Sequence, residues 1–249
     1  MPKQVGFPQQ FFIGGNDLSG DVGSLDRVSS PVPVMEITGI NKSAIERLQG
    51  LADGQISFKS WFNSAAGQEH LALRGLVTTD RILLWALGGA IGDPSASLVA
   101  KQMDYGVDRG ADGALALSIE TLGASGVALE WMEMLTAGKI THAAATNGTS
   151  QDNAASTANG IAAILELVSL ATGTVTVVVQ ESSDDGGVDP FAAKATFTAV
   201  AAAGAPTAER ITATGTVERY LRVATTGTFT TAVFAVAIRR GTAQDRIAY

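Results

Sequence analysis

Apolar and polar residues alternate with a period of two over much of the chain. The runs are short and are broken by glycine, proline, asparagine and aspartate. Such a pattern places every second side chain on a buried face and predicts β-strands. In the first half it predicts strands at Phe11-Phe12-Ile13, stopped by Gly14-Gly15, and at Val34–Thr38. Further strands are predicted where Ile56, Phe58 and Trp61 alternate with Ser57 and Lys59, at Arg81–Leu87, at Ser97–Asp104, at Ala114–Leu122 and at Val127–Met134. In the second half it predicts Val175–Glu181, Ala195–Val200, Glu209–Ala213, Val217–Val223 and Phe229–Ile238. Ala162–Leu170 fits a helix or a strand equally.

Helical signals are few. Asn41–Leu48 carries the strongest one in the first half: Ser43 and Glu46 have capping-box spacing, and Ile45 and Leu48 share a face. Gly50 and Gly54 keep that helix short. His70–Leu76 predicts a single turn. Residues 1–10 have no periodicity and read as an extended arm. Asp17–Ser30 reads as a long polar connection, punctuated by Pro31 and Pro33.

Near residue 136 the composition changes. Thr136–Gly160 is mostly alanine, threonine, asparagine, serine and glycine, the composition of a linker. The expectation is therefore a β domain at 1–138 with its N-terminal arm, a linker at 139–158 and an antiparallel β-sandwich at 159–249.

Composition narrows the function. Of the 249 residues 46% are hydrophobic and only 16% charged, below the roughly 25% of typical soluble domains. So few charges suit wide surfaces buried against neighbours. The net charge of −7, with no basic cluster, argues against binding nucleic acid through its phosphates. With no cysteine, disulfides, thiolate metal sites and thiol nucleophiles are out. The N-terminus lacks the apolar core of a signal peptide, and no apolar run reaches the roughly 18 residues of a membrane span.

Candidate chemistry is sparse. His70 and His142 are the only histidines, neither has metal-ligand spacing, and both read as solvated surface residues. No nucleophile elbow or phosphate-binding glycine loop is present. Asp184-Asp185-Gly186-Gly187-Val188-Asp189 reads as a hairpin turn, since a calcium loop needs a glutamate and a spacing it lacks. Trp61, Trp85 and Trp131 lie in strand-like runs and read as core before they read as a sugar platform. Arg219, Arg222, Arg239 and Arg240 read as cross-strand partners of Glu218 or Glu209, or as an interface. No catalytic, metal or cofactor residue is assigned, and no enzymatic activity is expected.

Three segments carry a resemblance. Asp17-Leu18-Ser19-Gly20-Asp21, the stretch from Thr38-Gly39-Ile40 through Leu48, Gly50-Leu51 and Asp53-Gly54, and Ile56-Ser57-Phe58 resemble the major tail tube proteins of long-tailed (siphovirus-type) bacteriophages. Val99–Tyr105, Ala114–Thr121 and Gly126–Trp131 fit that family's later strands, so the resemblance covers about residues 10–135. The region 160–240 resembles a β-sandwich appended to phage virion proteins, through Val177–Asp184 and Glu218–Val223.

The resemblance implies a mainly β fold: a tail-tube-type β-barrel or sandwich with a short flanking helix, plus a second antiparallel β-sandwich. It implies a virion protein assembled in the host bacterial cytoplasm. Its subunits would form hexameric rings stacked into a tail tube, the conduit for DNA, with the second domain outward. Partners would be the chain itself, the tape measure protein and the tail terminator or baseplate proteins. DNA would pass without specific binding, and no membrane insertion is implied. The excursion at 39–54 becomes the candidate assembly interface, with Asn41, Lys42, Ser43, Ile45, Glu46, Arg47, Leu48 and Asp53 as its residues. The competing reading is a capsid decoration or host-adhesion protein that holds glycan on tryptophan or tyrosine faces.

Overall fold

The computed structural model describes residues 8–75, 78–124, 126–243 and 247, so positions 1–7 of the expected arm lie outside the described residues. The first half runs β1 (Gln10–Ile13), β2 (Asn16–Asp17), β3 (Val22–Ser29), β4 (Val34–Glu36), β5 (Arg47–Gln49) and β6 (Gln55–Trp61). It continues with α1 (Glu69–Leu73), β7 (Arg81–Ala86), β8 (Pro94–Arg109), β9 (Leu115–Gly123) and β10 (Glu130–Met134).

The long strand β8 serves two sheets. Its first part pairs antiparallel with β7 on one side and with β10 on the other. A register shift between Gln102 and Asp104 bends it, as a bulge does, and its second part pairs with β9. From there the sheet continues through β6 to β3. Between the layers lies a core of Phe11, Ile13, Ile56, Phe58, Leu83, Leu98, Leu117 and Ile119. The rings of Phe11 and Phe58 meet at 4.7 Å and a tilt of 58°.

The second half adds β11 (Ile140–His142), β12 (Gln151–Asp152), β13 (Ile161–Ser182), β14 (Ala192–Thr196), β15 (Val200–Ala201), β16 (Thr207–Ala213) and β17 (Tyr220–Arg240). β13 and β17 pair along nearly their whole lengths, from Ile161↔Arg240 to Ser182↔Tyr220. β16 flanks the start of β13 and β14 flanks its end. Residues from both ends of the ribbon, such as Leu165, Val177, Val223 and Val236, enter one core around Phe197 and Phe234. The ribbon is most exposed between its ends, at Ala171–Thr174. There the strands approach so closely that a Cβ on Gly173 would lie 2.1 Å from the Thr228 carbonyl oxygen, and φ is +81°. Only glycine meets both demands.

β10 joins the halves into one continuous sheet, because it also pairs with β17 through Glu133↔Ile238 and Met134↔Ala237. The sheet of β1, β7 and β8 is therefore buried on both faces. Phe11 and Ile13 enter the first core, while Phe12 between them enters a separate cluster with Leu84, Met132, Met134, Ile164, Ala235 and Ala237. Polar ties cross the same joint. Glu130, 3% exposed, accepts from Arg210 Nε and Nη2 at 2.7 and 3.0 Å and from Arg239 Nη1 at 3.1 Å. At the β1–β2 turn the Gly15 N–H donates to Glu166 Oε2 at 2.5 Å. A Cβ on Gly15 would lie 2.3 Å from the Thr207 nitrogen, so the turn sits directly on the backbone of β16.

The mainly β, antiparallel sandwich architecture agrees with the sequence pattern. The barrel alternative does not hold, because the sheet stays open, with β3 and β2 as ends. The short helix is α1, five residues long, where the single turn was expected. The helix expected at Asn41–Leu48 is absent. Thr38 Oγ1 accepts from the Glu46 N–H at 3.0 Å, the Glu46 side chain pairs with Lys42, and Arg47–Gln49 is a strand. A helix confined between Gly39 and Gly50 cannot repay its nucleation. Ala162–Leu170 is strand. The stretch expected as a linker, 139–158, lies along β17, paired through β11, β12 and the bridge Asn147↔Ala224.

Two predictions follow from the joint. Burial holds the Glu166 carboxyl well above the ordinary glutamate pKa, opposed only by the Gly15 N–H. The folded chain then keeps a proton that the unfolded chain releases above the ordinary value. This group's contribution to stability is therefore lost as pH rises, by at most about 1.4 kcal/mol per pH unit. Glu166→Gln should raise the melting temperature at pH 8 more than at pH 5, read by circular dichroism. Glu130→Ala, which removes the carboxylate from a buried ion network, should cost about 3–5 kcal/mol in urea denaturation at pH 7.

Candidate functional site

β4 and β5 form a two-stranded sheet of their own. An isolated two-stranded ribbon is marginal in water. Its base is nevertheless tightly fixed. The Gly50 N–H donates to the Pro33 carbonyl at 2.7 Å, the Asp53 N–H to the Pro31 carbonyl at 3.0 Å, and Ser30 Oγ to the Asp53 carbonyl at 2.9 Å. Beyond Asp53, Gly54 packs against the core so closely that a Cβ would lie 2.3 Å from Leu98 Cδ1. The ribbon thus projects from a rigid root.

Its side chains are those of an interior. Val34, Met35, Ile37, Ile45 and Leu48 are each at least half exposed, and Ile40 and Leu51 almost wholly so. Met35 and Leu48 are directly opposed on one face. The other face carries Val34 opposite Gln49 and Glu36 opposite Arg47. Among the described residues, no strand pairs with either outer edge of the ribbon. Exposed apolar side chains beside open strand edges are the kind of surface found at interaction sites and ligand grooves.

The expected interface residues separate along this ribbon. Asn41, Lys42, Ser43, Ile45 and Glu46 lie in the loop at its tip, where the Lys42 Nζ and Glu46 carboxylate meet at 2.9 Å. Arg47 and Leu48 lie in β5, and Asp53 lies at the root, its Oδ1 accepting from the Gly54 N–H at 2.7 Å. The apolar residues Val34, Met35, Ile37, Ile40 and Leu51 share the surface and were not among those expected. Their run of apolar side chains on both strand faces reads as an interior strand, and only the missing neighbours expose it.

Other candidate chemistry resolves differently from its sequence reading. Neither histidine is a solvated surface residue. His70 Nδ1 is 2.6 Å from the Tyr105 hydroxyl and its ring lies 4.6 Å from Phe62. His142 is buried beside Phe234, with Nδ1 2.9 Å from Thr225 Oγ1, and burial lowers its pKa. Next to His70, Glu69 is fully buried without a hydrogen bond to either oxygen. Burial pushes its pKa up to about 7, nearby Ser60 opposes the rise and the Asp21 charge adds to it. Asp21 itself accepts from Asn63 Nδ2 at 2.9 Å and from the Glu69 N–H at 3.3 Å, which secures α1.

The Asp184 carboxylate accepts from the N–H groups of Gly187, Val188 and Asp189, as a turn does, and these bonds lower its pKa. The arginines pair with neither Glu218 nor Glu209. Arg219 bonds Asp152, Arg222 bonds Gln180 and lies over the Phe191 ring, Arg239 bonds Glu130, and Arg240 bonds the Asn153 and Ala155 carbonyls. Trp61 and Trp131 are not core, being each 55% exposed, while Trp85 is half-buried and donates to Gln9 Oε1. Among the described residues no group of three or more histidine, aspartate or glutamate side chains could hold a metal ion, and no helix is long and apolar enough to cross a membrane.

No family model and no curated protein matches the chain. Among solved structures it is similar to the SPP1 Dit (gp 19.1) protein, described as a paradigm of the hub adsorption apparatus in phages that infect Gram-positive bacteria. That match has 12% identity and a TM-score of 0.36 and covers 93% of this chain and 99% of that one. It is also similar to chains of the phage p2 baseplate in its activated conformation, with Sr and with Ca. Each has 10% identity and a TM-score of 0.32 and covers 96% of this chain and 99% of that one. Likeness at this level transfers neither partners nor activity to this chain.

Because the residues of β4 and β5 are exposed, charge on the ribbon should be harmless to the fold. Met35→Asp with Leu48→Asp should change unfolding free energy by less than about 0.5 kcal/mol. The same pair should reduce binding of a hydrophobic fluorescent dye to the native protein. A large loss of stability would mean that the ribbon is structural.

Proposed function

We propose that this chain is a structural subunit of a phage tail tube, self-assembling into hexameric rings that stack around a DNA conduit. The observation that carries the reading is the β4–β5 ribbon: apolar, unpartnered and rigidly rooted, in the segment where the sequence resembles tail tube proteins. A neighbouring subunit would cover the Met35–Leu48 face and take up the free strand edges, supplying the burial that the ribbon lacks. Asn41, Lys42, Ser43, Ile45, Glu46 and Arg47 would contact the next subunit or ring at the tip, and Asp53 would hold the root. The region 1–138 would form the tube wall and 159–249 would face outward. Low overall charge favours wide buried contacts, and an acidic lumen would let DNA slide without adhering. The tape measure and terminator or baseplate proteins would be further partners, in a virion assembled in the host cytoplasm.

Negative-stain microscopy of the purified chain tests this. Stacked six-fold rings or tubes are expected, and the Met35→Asp, Leu48→Asp double variant should give folded, unassembled protein. Discrete monomers or trimers of the unmodified chain at high concentration would overturn the reading, as would tubes formed equally well by the variant.

A further inference from the structure

Away from the ribbon, a groove of about 600 Å³ opens where β10, the end of β17 and the loop through β12 meet. This lies within the range of small-molecule sites. Its wall is Trp131, which stands on the outward face of β10 and is half exposed, and its lining includes Ile238. Around the indole stand polar groups held in fixed orientation. Gln151 Nε2 donates to Glu133 Oε2 at 2.9 Å. Arg219 clamps Asp152 with two bonds of 2.7 and 2.6 Å, and the Ala154 N–H donates to the same carboxylate at 2.8 Å. Arg240 is anchored on the Asn153 and Ala155 carbonyls. Two atoms of the lining have no partner and no solvent: Gln151 Oε1, an acceptor, and Arg240 Nε, a donor. Buried polar atoms normally find partners, so the residues of this wall keep one acceptor and one donor unused.

We propose that this groove binds a neutral saccharide, with a pyranose ring stacked on Trp131 and its hydroxyls bonded by Glu133, Gln151, Asp152 and Arg240. A hydroxyl donates and accepts at once, which matches a lining with carboxylates, an amide and a guanidinium side by side. The two carboxylates of the lining, Glu133 and Asp152, are matched by the two guanidinium groups of Arg239 and Arg240, so the lining carries no excess of either sign to select an ion, and the density of polar groups disfavours an aliphatic side chain. The indole offers a rigid apolar face to the C–H face of a sugar. This reading does not depend on the tube proposal, since groove and ribbon share no residue.

The test is an array of neutral hexose and N-acetylhexosamine oligosaccharides probed with the full chain, followed by calorimetric titration of the retained oligosaccharide. Trp131→Ala should weaken binding at least about tenfold with an unchanged melting temperature. Gln151→Leu, a second variant on the opposite wall, should weaken it as well. The proposal is overturned if no oligosaccharide on the array is retained, or if both variants bind it as the unmodified chain does. It is equally overturned if Trp131→Ala disturbs self-association in microscopy while leaving glycan binding intact, which would make the groove a contact between subunits.

Discussion

The buried carboxylate of Glu130, held by Arg210 and Arg239, is the contact on which the architecture depends. A charge this deep is tolerated only with full pairing. Its strand, β10, is bonded on one edge to β8 and on the other to β17, while its arginine partners come from β16 and β17. The ion network therefore ties the second half to the first at the strand whose backbone pairs with both. At the same joint lie the second buried face of β1 and β7, the apolar Phe12 and Leu84 pointing away from their own core, and the contact of Gly15 with Glu166.

This joint also explains where the molecule can afford an exposed apolar element. Rigid packing at the centre, continued through Gly54 against Leu98 and Leu129, gives the β4–β5 ribbon a fixed root. A ribbon on a mobile root would lose conformational freedom on docking, and that loss would offset the burial gained. The groove beside Trp131 lies on the same strand, β10, so the joint also frames the second candidate site.

Most strands were legible, because period-two alternation survives wherever one face is solvated: Ile56 and Phe58 lie inward and Lys59 outward, although Trp61, expected inward, also lies outward. The alternation fails where both faces are buried. Phe11-Phe12-Ile13 was readable as a strand but not as the one that serves two cores. Ala162–Leu170 was ambiguous for the same reason, since Ile164 and Leu165 enter different clusters. Asn41–Leu48 misled because Glu46 of its capping box has local partners in a hairpin as well, Lys42 and Thr38. The cross-strand bond between Thr38 and Glu46 decided between them.

The sequence by itself determined a nearly all-β chain and the position of most of its turns, since these depend on neighbours along the chain. It also pointed to 39–54 as an excursion from the sheet. Tertiary structure decided which apolar residues are core and which are surface. Met35 and Leu48 look as buried as Leu83 in sequence, and they differ only in whether another layer lies over them. It also decided the fate of the charges: Glu130 and Glu166 look like surface glutamates until strands distant in sequence close around them. Burial is set by contacts far apart along the chain, and no local pattern records it.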